Sequence, residues 1–185
     1  ISLDGEVFVD ENNRWTTREE NGSLVFDQIQ YIIDTLKEMK ENPNHKNGRR
    51  LIVLAWNPGN ASISKLPPCH YTFAFNVLGN KLNCHLTQRS GDIALGIPFN
   101  LACYSLLTMM IAKECGYEVG EFAHTIIDAH IYENHIEGLK EQLTRQPLKL
   151  SKIKIADKPF NELTFEDIEL IDYESHPLIK FEVAV

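Results

Sequence analysis

Residues 71–87 constrain the fold more than any other stretch of this chain. Tyr71, Phe73, Phe75 and Val77 alternate along one run, Leu82, Cys84 and Leu86 alternate along a second, and Gly79-Asn80 stands between them. Successive strand side chains point to opposite faces, so each run gathers its apolar members on one side, and a short glycine-containing link predicts an antiparallel hairpin. An apolar sheet face has to be covered. Apolar residues at 26, 29, 32, 33, 36 and 39 follow a helical period from Phe26 to Glu41, where Asn42-Pro43 stops the helix. A second, long apolar helix is expected from Pro98 to Cys115, with Pro98 near its first turn and Gly116 just past its end.

Other segments fill in around this centre. Leu51–Trp56 is a strand-length apolar run that follows Arg49-Arg50 and ends in the turn signal Asn57-Pro58-Gly59-Asn60. Phe122–Tyr132 reads as a strand, and residues 134–145 as a helix stopped by Pro147. Short strands are expected near 151–155, 165–171 and 178–183, and the stretch up to Gly22 reads as a loop with one short strand. This order predicts an α/β chain of the α+β type, a mixed sheet packed by helices in one domain over residues 1–185.

Composition narrows the function. The chain has 185 residues, 43% hydrophobic and 24% charged, which suits a globular protein with a sizeable core. No apolar run approaches the roughly 18 residues that span a bilayer, and no secretory signal opens the chain. It begins with Ile1 rather than Met, which implies sequence upstream. The cysteines at 69, 84, 103 and 115 have no metal or disulfide spacing, so reduced thiols and a cytoplasmic location are expected. A net charge of −8 argues against a general nucleic-acid surface. An anionic ligand would need a local cationic pocket, for which Arg49, Arg50 and Arg89 are the candidates.

Several residues carry candidate chemistry. Cys69 ends a rigid Pro67-Pro68 turn and needs a cation or base nearby to act as a thiolate nucleophile. His70 is adjacent but points to the other face of an extended chain, so Arg89 is the better partner. A buried structural cysteine is the alternative, and it is the reading adopted for Cys84, Cys103 and Cys115. Arg89 and Ser90 follow a strand, where guanidinium and hydroxyl can converge on a phosphate; a surface arginine is the plainer alternative. Arg49-Arg50 can equally be a solvated pair. Asn100 is either a helix cap or a reader of a ring edge that offers N–H beside C=O. His130 and Tyr132 share a strand face and can bind a sugar hydroxyl or serve as structural polar groups. His124, Asp128, His130 and His135 match no familiar metal spacing, and no metal is expected. A Cys-His-Asp hydrolase lacks an oxyanion-loop signature.

Taken together, RR (49–50), LAWNPG (54–59), LPPCH (66–70), QRSGD-x-x-LG-x-PFN (88–100), HT-x-x-DAH-x-Y-x-NH (124–135) and the terminal VAV (183–185) resemble thymidylate synthases over the C-terminal two-thirds of that family. The resemblance implies a homodimer of α/β subunits packed sheet to sheet. It implies methylation of dUMP with 5,10-methylenetetrahydrofolate as carbon donor and reductant, without a metal. By position, Cys69 would attack C6 of the uracil, and Arg89 and Ser90 would bind the phosphate. Arg49 and Arg50 would reach the partner's phosphate site. Asn100 would read the uracil edge, and His130 and Tyr132 would hold the ribose hydroxyl. Asp92 would bind the pterin, His70 would join the polar network near the base, and the tail at Val185 would close over the ligands.

The chain also departs from that family. Its N-terminal portion is missing, with the general-acid glutamate, a phosphate arginine and the folate-flanking tryptophans. Glu11-Asn12-Asn13-Arg14-Trp15 stands roughly where a Tyr-Gly-x-Gln-Trp pattern is usual, and Ala74 stands where a glutamine is usual. A deoxyuridylate hydroxymethylase and an inactive nucleotide-binding homologue are the alternatives.

Overall fold

A computed structural model describes residues 17–20, 23–61 and 63–183. Its centre is a four-stranded sheet, β3 (Ile52–Leu54), β4 (His70–Leu78), β5 (Lys81–Asp92) and β6 (Glu118–His130), in that order. The expected hairpin is β4–β5, with Leu78 opposite Lys81 across the two-residue turn. β3 pairs antiparallel with β4, whereas β6 runs parallel to β5, so the sheet is mixed. A parallel pair needs a long crossover, and helix α3 (Gly96–Glu114) provides it. A small hairpin of β1 (Thr17–Glu20) and β2 (Ser23–Phe26) precedes α1, and β7 (Lys152–Ile155) pairs with β8 (Ile168–Ile171) near the end.

One face of the sheet is packed. Helix α1 (Gln28–Glu41) starts where Asp27 Oδ1 accepts from the amides of Ile29 (3.1 Å) and Gln30 (2.9 Å). Its Ile32, Ile33 and Leu36 are buried with Val53, Phe73, Phe75, Leu82, Cys84 and Leu86 of the sheet and Ile111 and Ala112 of α3. The helices lock together where Tyr117 Oη donates to Leu36 O (3.0 Å) and Lys37 pairs with Glu114. That contact raises the Lys37 ammonium and lowers the Glu114 carboxyl. The opposite face carries Ile52, Leu54 and Ile127, exposed by 49%, 58% and 67%, and no helix among the described residues covers them.

Four expectations need correction. Residues 178–183 form no strand; side chains rather than a neighbouring strand hold them. Residues 165–167 are a 3-10 turn, because Asp167 folds back onto the Thr164 amide (3.0 Å) and hydroxyl (2.9 Å) and delays β8 to Ile168. β6 stops at His130, so Tyr132 lies beyond it, at the start of a 3-10 turn over Glu133–His135 that leads into α4 (Ile136–Leu143). Cys103 is exposed, since α3 is apolar all round but only its inner stripe meets the sheet. The segment 11–15 and Val185 lie outside the described residues.

Candidate active site

Most of the candidate residues, Cys69, His70, Arg89, Ser90, Asp92, Asn100 and His130 among them, meet at one end of the sheet. β4 begins there, β5 and β6 end there, and α3 starts immediately after β5. Register fixes the neighbours: His70 lies opposite Gln88, Ser90 beside Asp128, and Asp92 beside His130. Gly91 lets α3 close onto this corner, because a Cβ there would stand 2.6 Å from Ile97 Cδ1.

Arg89 straps the cysteine turn. Its Nε donates to Pro68 O (3.1 Å), its Nη2 to Pro67 O (2.7 Å), and its backbone amide to Cys69 O (2.9 Å). The prolines have no amide hydrogen to fix the turn themselves, so the guanidinium fork does it from the next strand. Cys69 is partly exposed there. Burial, by contrast, pushes the Cys84 thiol up to about 11 and the Cys115 thiol up to about 12. Those two remain thiols at neutral pH and lie in the core, whereas Cys69 stands at this corner.

Beside the turn lies a network that sequence reading did not assign. Gln88 is 3% exposed, and its Nε2 donates both to Ser90 O (2.8 Å) and to Asn100 Oδ1 (3.0 Å). Its Oε1 accepts from His124 Nε2 (2.9 Å), so that ring nitrogen carries the hydrogen. Asn100 is therefore not a cap; it is the fifth residue of α3, and Gln88 fixes which way its amide faces. With Oδ1 held, Nδ2 is left to donate, and Oδ1 keeps a second lone pair. The sequence did carry a signal for Gln88: it follows Leu82, Cys84 and Leu86 as the next inward position of β5, a polar group on an apolar face. Burial, then the neighbouring His70 and His85, holds the His124 imidazolium form down. His70 packs edge-on against Tyr104 at 5.4 Å, on this same side.

The third part centres on Asp92. Its Oδ1 accepts from Ala94 N (2.9 Å) and Leu95 N (3.4 Å) and lies 3.7 Å from His135 Nδ1. His130 Nδ1 sits 3.3 Å from Asp128 O, and its ring meets Tyr132 edge-on at 5.2 Å, so the pair stays together although Tyr132 has left the strand. Arg49 and Arg50 stand apart, exposed in the turn before edge strand β3, where Arg50 Nη1 donates to Asn47 Oδ1 (3.1 Å). Among the described residues no group of three or more His, Cys, Asp and Glu side chains could hold a metal ion, and no helix is long and apolar enough to cross a membrane.

The family model described as "Thymidylate synthase" matches residues 5–185. The chain belongs to the thymidylate synthase family. It is 40% identical over 232 residues to a thymidylate synthase of Haloferax volcanii, covering 98% of this chain and 65% of that protein. To one from Staphylococcus haemolyticus it is 47% identical over 182 residues, 98% of this chain and 54% of that protein. To one from Mycoplasma pneumoniae it is 51% identical over 161 residues, 86% and 55% of the two chains. The chain thus spans between half and two thirds of the length of these thymidylate synthases.

Proposed function

We propose that this protein carries out the reductive methylation of dUMP to dTMP, through a covalent bond between Cys69 and C6 of the uracil. The observation that carries the reading is the pairing of a strapped cysteine turn with an amide of fixed orientation. Arg89 holds Cys69 while part of its fork stays available for a phosphate, with Ser90 next to it. Asn100, aimed by Gln88, offers one donor and one acceptor to an imide edge, which is the hydrogen-bonding pattern of uracil. His130 and Tyr132 stand ready for the ribose hydroxyl, and His70 for the polar surroundings of the base.

5,10-Methylenetetrahydrofolate supplies the one-carbon unit and the hydride when bound. Asp92, which receives the lead-in amides of α3, would contact that ligand. The residues of this chain do the rest by covalent and positional means. Cys69 adds to C6, which makes C5 nucleophilic. After carbon transfer, loss of the C5 proton with release of the tetrahydrofolate nitrogen would leave an exocyclic methylene on the base; hydride from tetrahydrofolate, oxidised to dihydrofolate, would complete the methyl group as the sulfur leaves C6. A closed, dry site protects the intermediate.

The active unit is a homodimer joined through the uncovered sheet face. Ile52, Leu54 and Ile127 lie on that face, and the turn bearing Arg49 and Arg50 adjoins its edge strand, from which both arginines reach the partner's phosphate site. Intact mass after incubation with 5-fluoro-dUMP and methylenetetrahydrofolate tests the chemistry. A ternary adduct that disappears in Cys69→Ala supports it. Absence of adduct from the full-length protein overturns it.

A further inference from the structure

We propose that His135 is a positioning residue that couples the C-terminal segment to Asp92. Its ring is fully buried, packed edge-on between Tyr132 at 5.6 Å and Phe181 at 5.2 Å. Nε2 lies 2.7 Å from Glu182 O, and because a carbonyl can only accept, Nε2 carries the hydrogen. Nδ1 has no hydrogen-bond partner among the described residues and faces Asp92 Oδ1 at 3.7 Å. A buried nitrogen without a partner is unfavourable and calls for an explanation. The geometry supplies one: closing the 3.7 Å gap by about 0.8 Å, with hydrogen on both nitrogens, lets one ring bridge the Glu182 carbonyl and the Asp92 carboxylate.

The tail is built to transmit such a shift. Side chains hold it rather than a strand ladder. Arg145 Nη1 donates to Pro177 O (2.6 Å), His176 Nε2 lies 2.8 Å from Gln146 O, and Asn134 Nδ2 shares Glu182 O at 3.2 Å. Gly138 of α4 lets Phe181 lie close, since a Cβ there would be 2.5 Å from Phe181 Cε1. The start of the segment is therefore held by Arg145 and Gln146 just past α4, and its end rests on α4 at Gly138 and on His135. Asp92 in turn holds the lead-in to α3 through Ala94 and Leu95. A displacement of the carboxylate and a displacement of the tail are thus felt by the same imidazole. The functional consequence rests on the thymidylate synthase reading: Asp92 would contact the folate, so His135 links the 176–183 segment to the residue that senses folate occupancy.

Limited proteolysis within residues 176–183 of the full-length, ligand-free protein tests the coupling without reference to catalysis, since the segment is held through its carbonyls. The series is His135→Phe, which keeps an aromatic ring but removes both nitrogens, Asp92→Asn, which keeps an acceptor for Ala94 and Leu95, and the double variant. His135→Phe is expected to speed cleavage by about fivefold or more, the effect of losing one net hydrogen bond to the Glu182 carbonyl. Asp92→Asn is expected to speed it when His135 is present and to add nothing in the His135→Phe background. Should His135→Phe fail to fold, shown by loss of protection in α1, His135→Gln takes its place. A glutamine amide can still donate to Glu182 O, so this variant should keep tail protection but lose sensitivity to Asp92→Asn. Equal, additive effects of Asp92→Asn in both backgrounds overturn the proposal. In turnover, His135→Phe should raise KM for the folate about tenfold, as loss of a charge-assisted contact allows, with KM for dUMP within about twofold. Absence of turnover in the unsubstituted protein rejects the proposed function and leaves the cleavage result to decide the coupling.

Discussion

Gln88→Glu is the most informative single substitution, because it changes donors to acceptors without changing shape. In the native network Nε2 of Gln88 gives one hydrogen to Ser90 O at 2.8 Å and one to Asn100 Oδ1 at 3.0 Å. A carboxyl group in its place keeps the His124 contact on one oxygen and sets the other against two acceptors. The Ser90 carbonyl is backbone and cannot turn. The Asn100 amide can, and it resolves the clash by rotating so that Nδ2 faces the introduced carboxylate. Its outward edge is then inverted, with oxygen where the donor stood. Two contacts to the uracil edge are misdirected, each with a net value of about 0.5–1.5 kcal/mol, so dUMP affinity should fall by about 1–3 kcal/mol, roughly 5- to 150-fold. The inverted edge matches cytosine better, so the preference for dUMP over dCMP should shrink or reverse. Calorimetric titration with both nucleotides measures this, with Gln88→Met as the control that leaves Asn100 unaimed and lowers discrimination without inverting it. Unchanged affinity and unchanged discrimination in Gln88→Glu would refute the idea that Gln88 sets the Asn100 amide.

Other consequences are open to simple measurement. Arg89→Lys keeps the charge but cannot serve two carbonyls in a plane; with one or two charge-assisted hydrogen bonds lost, the rate of adduct formation should fall roughly tenfold to hundredfold in a single-turnover mass assay. The His124 imidazolium is disfavoured by burial first and by His70 and His85 next, so the unfolded chain binds a proton more readily than the folded one. Stability contributed by the neutral ring is complete above the ordinary histidine range and declines as pH falls through and below about 6.5. Urea unfolding from pH 8 to pH 5 should show that decline, and His124→Gln should flatten it. On the uncovered sheet face, Ile127→Asp should shift sedimentation toward monomer while leaving circular dichroism unchanged, since Ile127 is 67% exposed in the single chain. A dimer that persists would place the subunit contact elsewhere.

The sequence made the centre of this fold legible because strict alternation in 71–77 and 82–86 leaves a strand few choices, because α1 carries a clear helical period, and because both α1 and the long apolar α3 carry clear end signals. Local pattern failed where tertiary contacts decide. The apolar run 178–183 has strand composition, yet the Glu182 carbonyl is taken by Asn134 and His135 side chains, and Arg145 holds the carbonyl of Pro177 just before the run. Asn100 looked like a cap because it follows Pro98, but the helix had already begun at Gly96, and Asp92 receives the lead-in amides. Cys103 sat within an apolar pattern whose outer stripe stays exposed in the single chain. Gln88 was visible as a polar inward residue, but its role depends on where Asn100 and His124 arrive from α3 and β6, which no local reading can supply.

The strap from Arg89 to the Pro67–Cys69 turn also has a meaning for how the protein assembles. It joins residues only 21 and 22 positions apart in sequence, through a strand pair whose own turn is two residues long. Hairpins of this kind close in roughly 1–10 μs, far sooner than the parallel β5–β6 pairing that must wait for α3 to cross over. The corner that holds the cysteine is therefore written into the earliest-forming contacts of the chain. Any slip in hairpin register would dismantle that corner at once, because it carries every side chain of the strand to the other face.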